Sequence, residues 1–183
     1  MHFIKYYYET IIKYDLINKF NYTNLTELPQ LKKIILNFSC QNFTIQKFAI
    51  TLLSLELITT KKGSITLNKT ANVFLKIQKG SPSGCQVVLT KNKMYEFLSK
   101  LLVEIFPKIK NISGLKLKIT NNTFSYLFPS NTIILTELQE YYPLFNNLPA
   151  LNFTVITTAK SNKELIFLIK SFQFPFLKNV SSY

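Results

Sequence analysis

Arginine and tryptophan are missing from this 183-residue chain, which has one histidine, two cysteines and four glycines. Each shortage closes off a kind of chemistry. With His2 alone, at the terminus, no base stands ready to activate a serine or cysteine nucleophile. Cys40 and Cys85 lie far apart and have no His or Cys neighbour at metal-ligand spacing, which excludes a zinc motif and a disulfide framework. Both read as small, reduced core fillers. Gly80 and Gly84 lack the Lys-Ser/Thr pair and the following helix of a phosphate loop. The nine acids are scattered, and Glu137 and Glu140, spaced three apart, read as a solvated turn rather than a catalytic dyad. No enzyme, metal or cofactor is therefore expected. The longest apolar stretch, 48–58, is interrupted by Glu56 and is well short of the roughly 20 residues that span a bilayer, so a membrane is not an expected partner. The N-terminal segment carries Glu9 and Asp15 and none of the arginine of an import peptide, and it reads as mature protein.

All 22 basic residues are lysine, and the formal charge is +13. Such usage, together with abundant Ile, Asn, Phe and Tyr, is that of an AT-rich gene and points to an organellar genome. It still has a physical consequence. An ammonium is a point charge on a flexible stem and cannot make the planar two-pronged contact by which a guanidinium reads guanine, so phosphates are the expected contacts. Residues 61–118 hold 12 lysines and two acids, a net +10, whereas 119–159 hold no lysine. Self-repulsion of that size calls for an anionic partner, either nucleic acid or an anionic membrane surface. With 47% apolar residues, 16 Phe and 10 Tyr, the chain has the material for one domain with a sizeable core.

Apolar residues near a 3.6-residue period predict helices over 3–20, 43–57 and 91–106, the last stopped by Pro107. A further helix over 161–172 has Ser161 as its N-cap and Glu164 at the capping-box position. Among Tyr6, Tyr7 and Tyr8 at least one must face outward. Strands are predicted over 31–38, 64–67, 72–78, 86–89, 115–120, 124–128, 132–136 and 151–158. Between the third and fourth of these, Lys79-Gly80-Ser81-Pro82-Ser83-Gly84 reads as a long, protruding basic loop. Helices and strands mix without strict alternation, which gives an α+β class: a mostly antiparallel sheet with helices packed on one face. One domain is expected, with a helix over 1–22, an α+β core over 23–178 and a tail over 179–183. A basic sheet and loop suit RNA, whose recognition rests on shape, phosphate and 2′-hydroxyl contacts.

The string KIQKGSPSGCQVVLTKNKMYEF at 76–97 closely resembles the signature region of the universal large-subunit ribosomal protein family numbered five. PKIKNISGL at 107–115, TTAKSNKE at 157–164 and FQFPF at 172–176 agree, as do Tyr22, Asn24, Pro29 and the run from Lys33 to Asn37. The resemblance implies a structural protein of the large ribosomal subunit, seated in the central protuberance. It implies binding of 5S rRNA or other large-subunit rRNA, contact with the elbow of P-site tRNA, a bridge to a small-subunit head protein, and neighbouring large-subunit proteins. Carried over by position, Asn37, Ser39, Gln41, Thr66, Lys69 and Thr90 are candidate rRNA contacts, with Lys91 and Lys93 counted beside them. Lys79, Ser81, Pro82 and Ser83 are candidate tRNA contacts. The departures from the family pattern fall on the RNA side: Thr66 to Thr70 replaces a denser basic cluster, and Phe38-Ser39-Cys40-Gln41 a glycine-rich stretch. Base usage and the absence of an import peptide place the expected particle in the mitochondrial matrix ahead of the plastid. The competing expectation is a free RNA-binding or RNA-chaperone module outside the ribosome.

Overall fold

The computed structural model describes residues 3–39, 44–74, 77–109, 118–120, 122–128 and 136–175. A six-stranded sheet has the order β2-β3-β1-β6-β5-β4, where β1 is Leu31–Ser39, β2 Ser64–Leu67, β3 Pro82–Leu89, β4 Lys118–Thr120, β5 Thr123–Phe128 and β6 Leu151–Thr157. β2 pairs antiparallel with β3 and β4 with β5. The α+β class with a mostly antiparallel sheet is borne out. The chain divides into two compact units, one of Met1–Ile34, Leu89–Tyr126 and Thr154–Tyr183, the other of Ile35–Val88 and Leu127–Phe153. Among the described residues no helix is long and apolar enough to cross a membrane.

In the first unit the N-terminal helix runs as α1 (Phe3–Tyr7), a π-helical turn (Tyr8–Ile12) and α2 (Lys13–Lys19). Its buried residues are Ile4, Tyr8, Ile12 and Leu16, a strict four-residue repeat. Four residues overshoot a 3.6-residue turn, and the wider π-turn absorbs the excess so that all four stay on one line. Of the three tyrosines Tyr8 is buried and Tyr6 exposed. The Tyr8 hydroxyl donates to the Pro29 carbonyl at 3.1 Å, and its ring stacks on Phe172. Burial pushes its pKa upward. α1 packs on α4 (Lys91–Lys100), and α2 on α8 (Asn162–Ser171). Phe174 joins Phe106 and Phe124 edge to face.

The start of α8 follows the capping rule closely. The Ser161 hydroxyl accepts from the Glu164 N–H at 3.3 Å, while the Glu164 carboxylate reaches back to the Lys160 N–H at 3.0 Å. Ser161→Ala is expected to cost about 1 kcal/mol in urea unfolding. An unchanged midpoint would assign the helix start to Glu164 alone.

The second unit is built on α3 (Ile45–Thr59), which packs against α6 (Thr136–Gln139) and α7 (Tyr142–Phe145). The Thr44 hydroxyl caps α3 by accepting from the Lys47 N–H, and Thr60 ends it in the left-handed conformation. The Thr51 hydroxyl lies 3.3 Å from the Cys85 sulfur, which fixes the face of β3 that α3 covers. Cys85 is fully buried, and desolvation raises its pKa against the opposing Thr51 hydrogen bond, as an inert core thiol should behave. Phe128 and Phe153 close the core edge to face.

Several expectations need correction. The helix expected to stop at Pro107 passes through a π-turn (Leu101–Ile105) and ends as α5 (Phe106–Lys108). The Phe106 N–H bonds to Leu101 O, five residues back, so the proline ring escapes the i−4 carbonyl that it strikes in a regular helix. The strand expected over 72–78 is reduced to one antiparallel bridge, Asn72 to Ile77. The loop expected over 79–84 ends at Ser81, because β3 starts at Pro82. Proline is tolerated as the first residue of a strand, where no ladder donor is needed. Thr136 opens α6 instead of closing a strand, and 132–135 lie outside the described residues, as do 115–117 and His2.

Candidate nucleic-acid interface

Residues 57–95 contain seven lysines and no acid. Most of this stretch is the β2–β3 hairpin, and its sequence explains its geometry. Alternation along β2 places Ile65 opposite Cys85 and Thr66 opposite Gly84, and a bulge then sets Leu67 opposite Pro82. At the bulge the hydroxyls of Thr66 and Ser83 meet at 3.0 Å, and Ser83 also donates to the Thr66 carbonyl. Beyond it, Asn68 holds both ends of the connection. Its carbonyl accepts from the Gly80 N–H at 2.9 Å, its N–H donates to the Ser81 carbonyl at 2.9 Å, and its amide donates to the Ser81 hydroxyl at 2.9 Å. Gly80 has φ +82°, a conformation that glycine adopts without strain.

Two lysines stand free on this frame. Lys69 and Lys79 are exposed and form no ion pair among the described residues. Lys61 is tied down, its ammonium donating to the Val88 carbonyl at 2.7 Å. The turn at 73–74 adds exposed apolar surface, since Phe74 is 99% accessible.

β1 is the other neighbour of β3. Gly84 lies against it so closely that a Cβ there would meet the Phe38 carbonyl oxygen at 2.2 Å and the Ser39 Cα at 3.3 Å. Alternation along β1 buries Ile34, Leu36 and Phe38 and leaves Asn37 on the less buried face with Lys33 and Ile35. The Asn37 amide oxygen is withdrawn from solvent yet has no hydrogen-bond partner, a state that costs about 1–3 kcal/mol until a donor is supplied. Asn37, Ser39, Thr66, Ser83 and Gly84 are thus brought together. Lys69, Lys79, Ser81 and Pro82 share the hairpin with Thr66 and Ser83. Gln41 lies outside the described residues.

Thr90, Lys91 and Lys93 belong to the other unit. Thr90 precedes α4, but its hydroxyl makes no cap bond. Lys91 and Lys93 are both exposed. Lys91 has φ +53°, left-handed for a residue with a Cβ. Sequence reasoning passed over Lys5 and Lys32, which line a cavity with Lys91. Each reads in the sequence as the polar side of its own element, and only the packing of α1 on α4 relates them. Among the described residues no group of three His, Cys, Asp or Glu is placed to hold a metal ion.

The family model for the C-terminus of the ribosomal uL5 proteins matches residues 82–176. The large ribosomal subunit protein uL5m of Reclinomonas americana is 38% identical over 182 residues, covering 97% of this chain and 100% of its own. The large ribosomal subunit protein uL5 of Geotalea uraniireducens is 35% identical over 167 residues, 88% of this chain and 91% of its own. That of Nitrosomonas europaea is 33% identical, with 94% and 97% covered.

Proposed function

The chain belongs to the ribosomal uL5 family, and from that premise we propose that it serves in the large subunit of a mitochondrial ribosome. It is a structural ribosomal protein and not an enzyme. In the proposed seat, the central protuberance, the chain holds rRNA, 5S rRNA where the particle has one, and reaches P-site tRNA and the small-subunit head. The carrying observation is the hairpin, where unpaired lysines stand on a frame whose own hydroxyls and amides are already satisfied.

The division of labour follows from the bonds. Thr66, Ser81, Ser83 and Asn68 spend their donors on one another and fix the shape of the hairpin. Lys69 and Lys79 then meet phosphates, which position an RNA without reading its sequence. Asn37 adds one directional contact. Its orphan amide oxygen accepts a donor such as a ribose 2′-hydroxyl, the group that marks RNA against DNA. For the tRNA contact, Lys79 and the turn that Ser81 holds are the nearest groups of the right chemistry. The mitochondrial assignment is supported by the uL5m relative and by the lysine-only, AT-type composition.

Sedimentation of organellar ribosomes after a high-salt wash tests the reading. An integral protein of the particle stays with the large subunit because shape-matched contacts survive the screening of phosphate charge. Release of the whole population to the top of the gradient would sink the reading in favour of a free RNA-binding module. Sequencing the RNA of the washed subunit identifies the bound species.

A further inference from the structure

In the first unit a cavity of about 340 Å³ is lined by Lys5 of α1, Leu31 and Lys32 of β1, and Lys91, Asn92, Met94 and Tyr95 of α4. We propose that this cleft is a second RNA-backbone seat, in which Lys5, Lys32 and Lys91 hold phosphate oxygens of an rRNA strand. The inference rests on the ribosomal reading and extends it to a site made by elements other than the hairpin.

Three features of the cleft are unfavourable in the free protein, and an anion relieves two of them. Three ammonium groups line one concavity, and the acid that pairs with Lys5 is Glu9, 3.9 Å away with both side chains half exposed. A pair so exposed and so long offsets little of the repulsion. Lys91 begins a ten-residue helix with no acid in its first turn, where the positive end of the peptide dipoles disfavours a cation. A phosphate among these groups removes both penalties. The third feature is backbone strain. Lys91 stands at φ +53°, which costs a non-glycine residue about 1–2 kcal/mol and is retained where the surroundings hold it in place.

The walls suit a strand of RNA. Leu31 and Met94 are buried and give the cleft a firm apolar floor, whereas Asn92 and Tyr95 offer polar groups beside the ammonium groups. Phosphate contacts from lysine with a few neutral polar contacts to sugar are the ordinary makeup of backbone positioning.

The experiment compares full-length variants in filter binding to large-subunit rRNA over a series of salt concentrations. Lys5→Glu with Lys32→Glu is expected to lower affinity about tenfold and to reduce the slope of log K against log salt by about 1–2, because each phosphate contact contributes about 0.7–0.9. Lys32→Gln alone, with its thermal midpoint unchanged, should give a smaller loss in the same direction and covers the case in which the double variant misfolds. Unchanged affinity and slope in variants that fold would overturn the cleft. If those variants bind like wild type while Lys69→Glu with Lys79→Glu does not, the ribosomal reading stands and the cleft falls. Should wild type itself fail to bind rRNA, both fall. A mononucleotide arm uses AMP: binding as tight as that of RNA would show a free-nucleotide pocket and overturn the backbone seat.

Discussion

Gly84→Ala is expected to destabilise the protein by about 3 kcal/mol or more, out of proportion to the single methyl group added. The Cβ would sit 2.2 Å from the Phe38 carbonyl oxygen and 3.2 Å from the Phe38 carbonyl carbon. Backbone cannot swing aside as a side-chain tip does, so β1 and β3 must part by about an ångström, which weakens every hydrogen bond of the ladder between them. Two other glycines supply the scale. At Gly63 a Cβ meets the tip of Leu52 at 2.8 Å, a flexible methyl group that can rotate away. At Gly80 it meets nothing, but φ +82° makes alanine strained by about 1 kcal/mol. Urea midpoints should therefore fall far more for Gly84→Ala than for either of the others. A loss below about 1 kcal/mol at Gly84 would show that the strands yield freely. RNA affinity should fall with stability in this variant alone, because Thr66 and Ser83 lose the strand that seats them opposite Asn37.

The same glycine shows where sequence reasoning reached its limit. Ser81, Pro82, Ser83 and Gly84 are turn formers by composition, and nothing local reveals that Pro82 opens a strand or that Gly84 answers to a carbonyl on β1. The decisive contact joins residues far apart in the chain, and a window of neighbours does not contain it. Where the deciding interactions are local, the reading held: the strand at 64–67, the capping residues Ser161 and Glu164, and the buried line of Ile4, Tyr8, Ile12 and Leu16 were all legible. The π-turns were not, because a four-residue repeat and a 3.6-residue repeat differ little over one helix. Thr136 was misread as strand because a β-branched residue after Ile133, Ile134 and Leu135 has strand character on its own, whereas in the structure it starts α6. At the candidate interface, residue types were legible through the family pattern, but their tasks were not. Thr66, Ser81 and Ser83 turn out to bond the hairpin to itself, which no motif announces. The orphan oxygen of Asn37 and the joining of Lys5 and Lys32 to Lys91 are likewise properties of packing.

Reversing Lys69 and Lys79 to Glu is expected to cost on the order of tenfold in rRNA affinity per residue at low salt, with the loss narrowing as salt rises. Both side chains are exposed and unpaired among the described residues, so the fold has little stake in them, and unfolding midpoints should stay within about 0.5 kcal/mol of wild type. The slope of log K against log salt should become shallower by about 1.4–1.8, the share of two phosphate contacts. The neutral pair Lys69→Gln with Lys79→Gln should reproduce the slope change but less of the affinity loss, since it removes attraction without adding repulsion. An unaltered slope in folded variants would mean that these lysines never neutralise phosphate. Arginine at both positions should retain binding, because electrostatic contact asks only for charge. The test also separates the frame from the charges it carries. Ser83→Ala, which breaks the link to the Thr66 carbonyl, should lower affinity for RNA by loosening the hairpin while leaving the salt slope intact. A slope that changed as much in Ser83→Ala as in the lysine variants would remove the distinction between residues that shape the hairpin and residues that meet RNA.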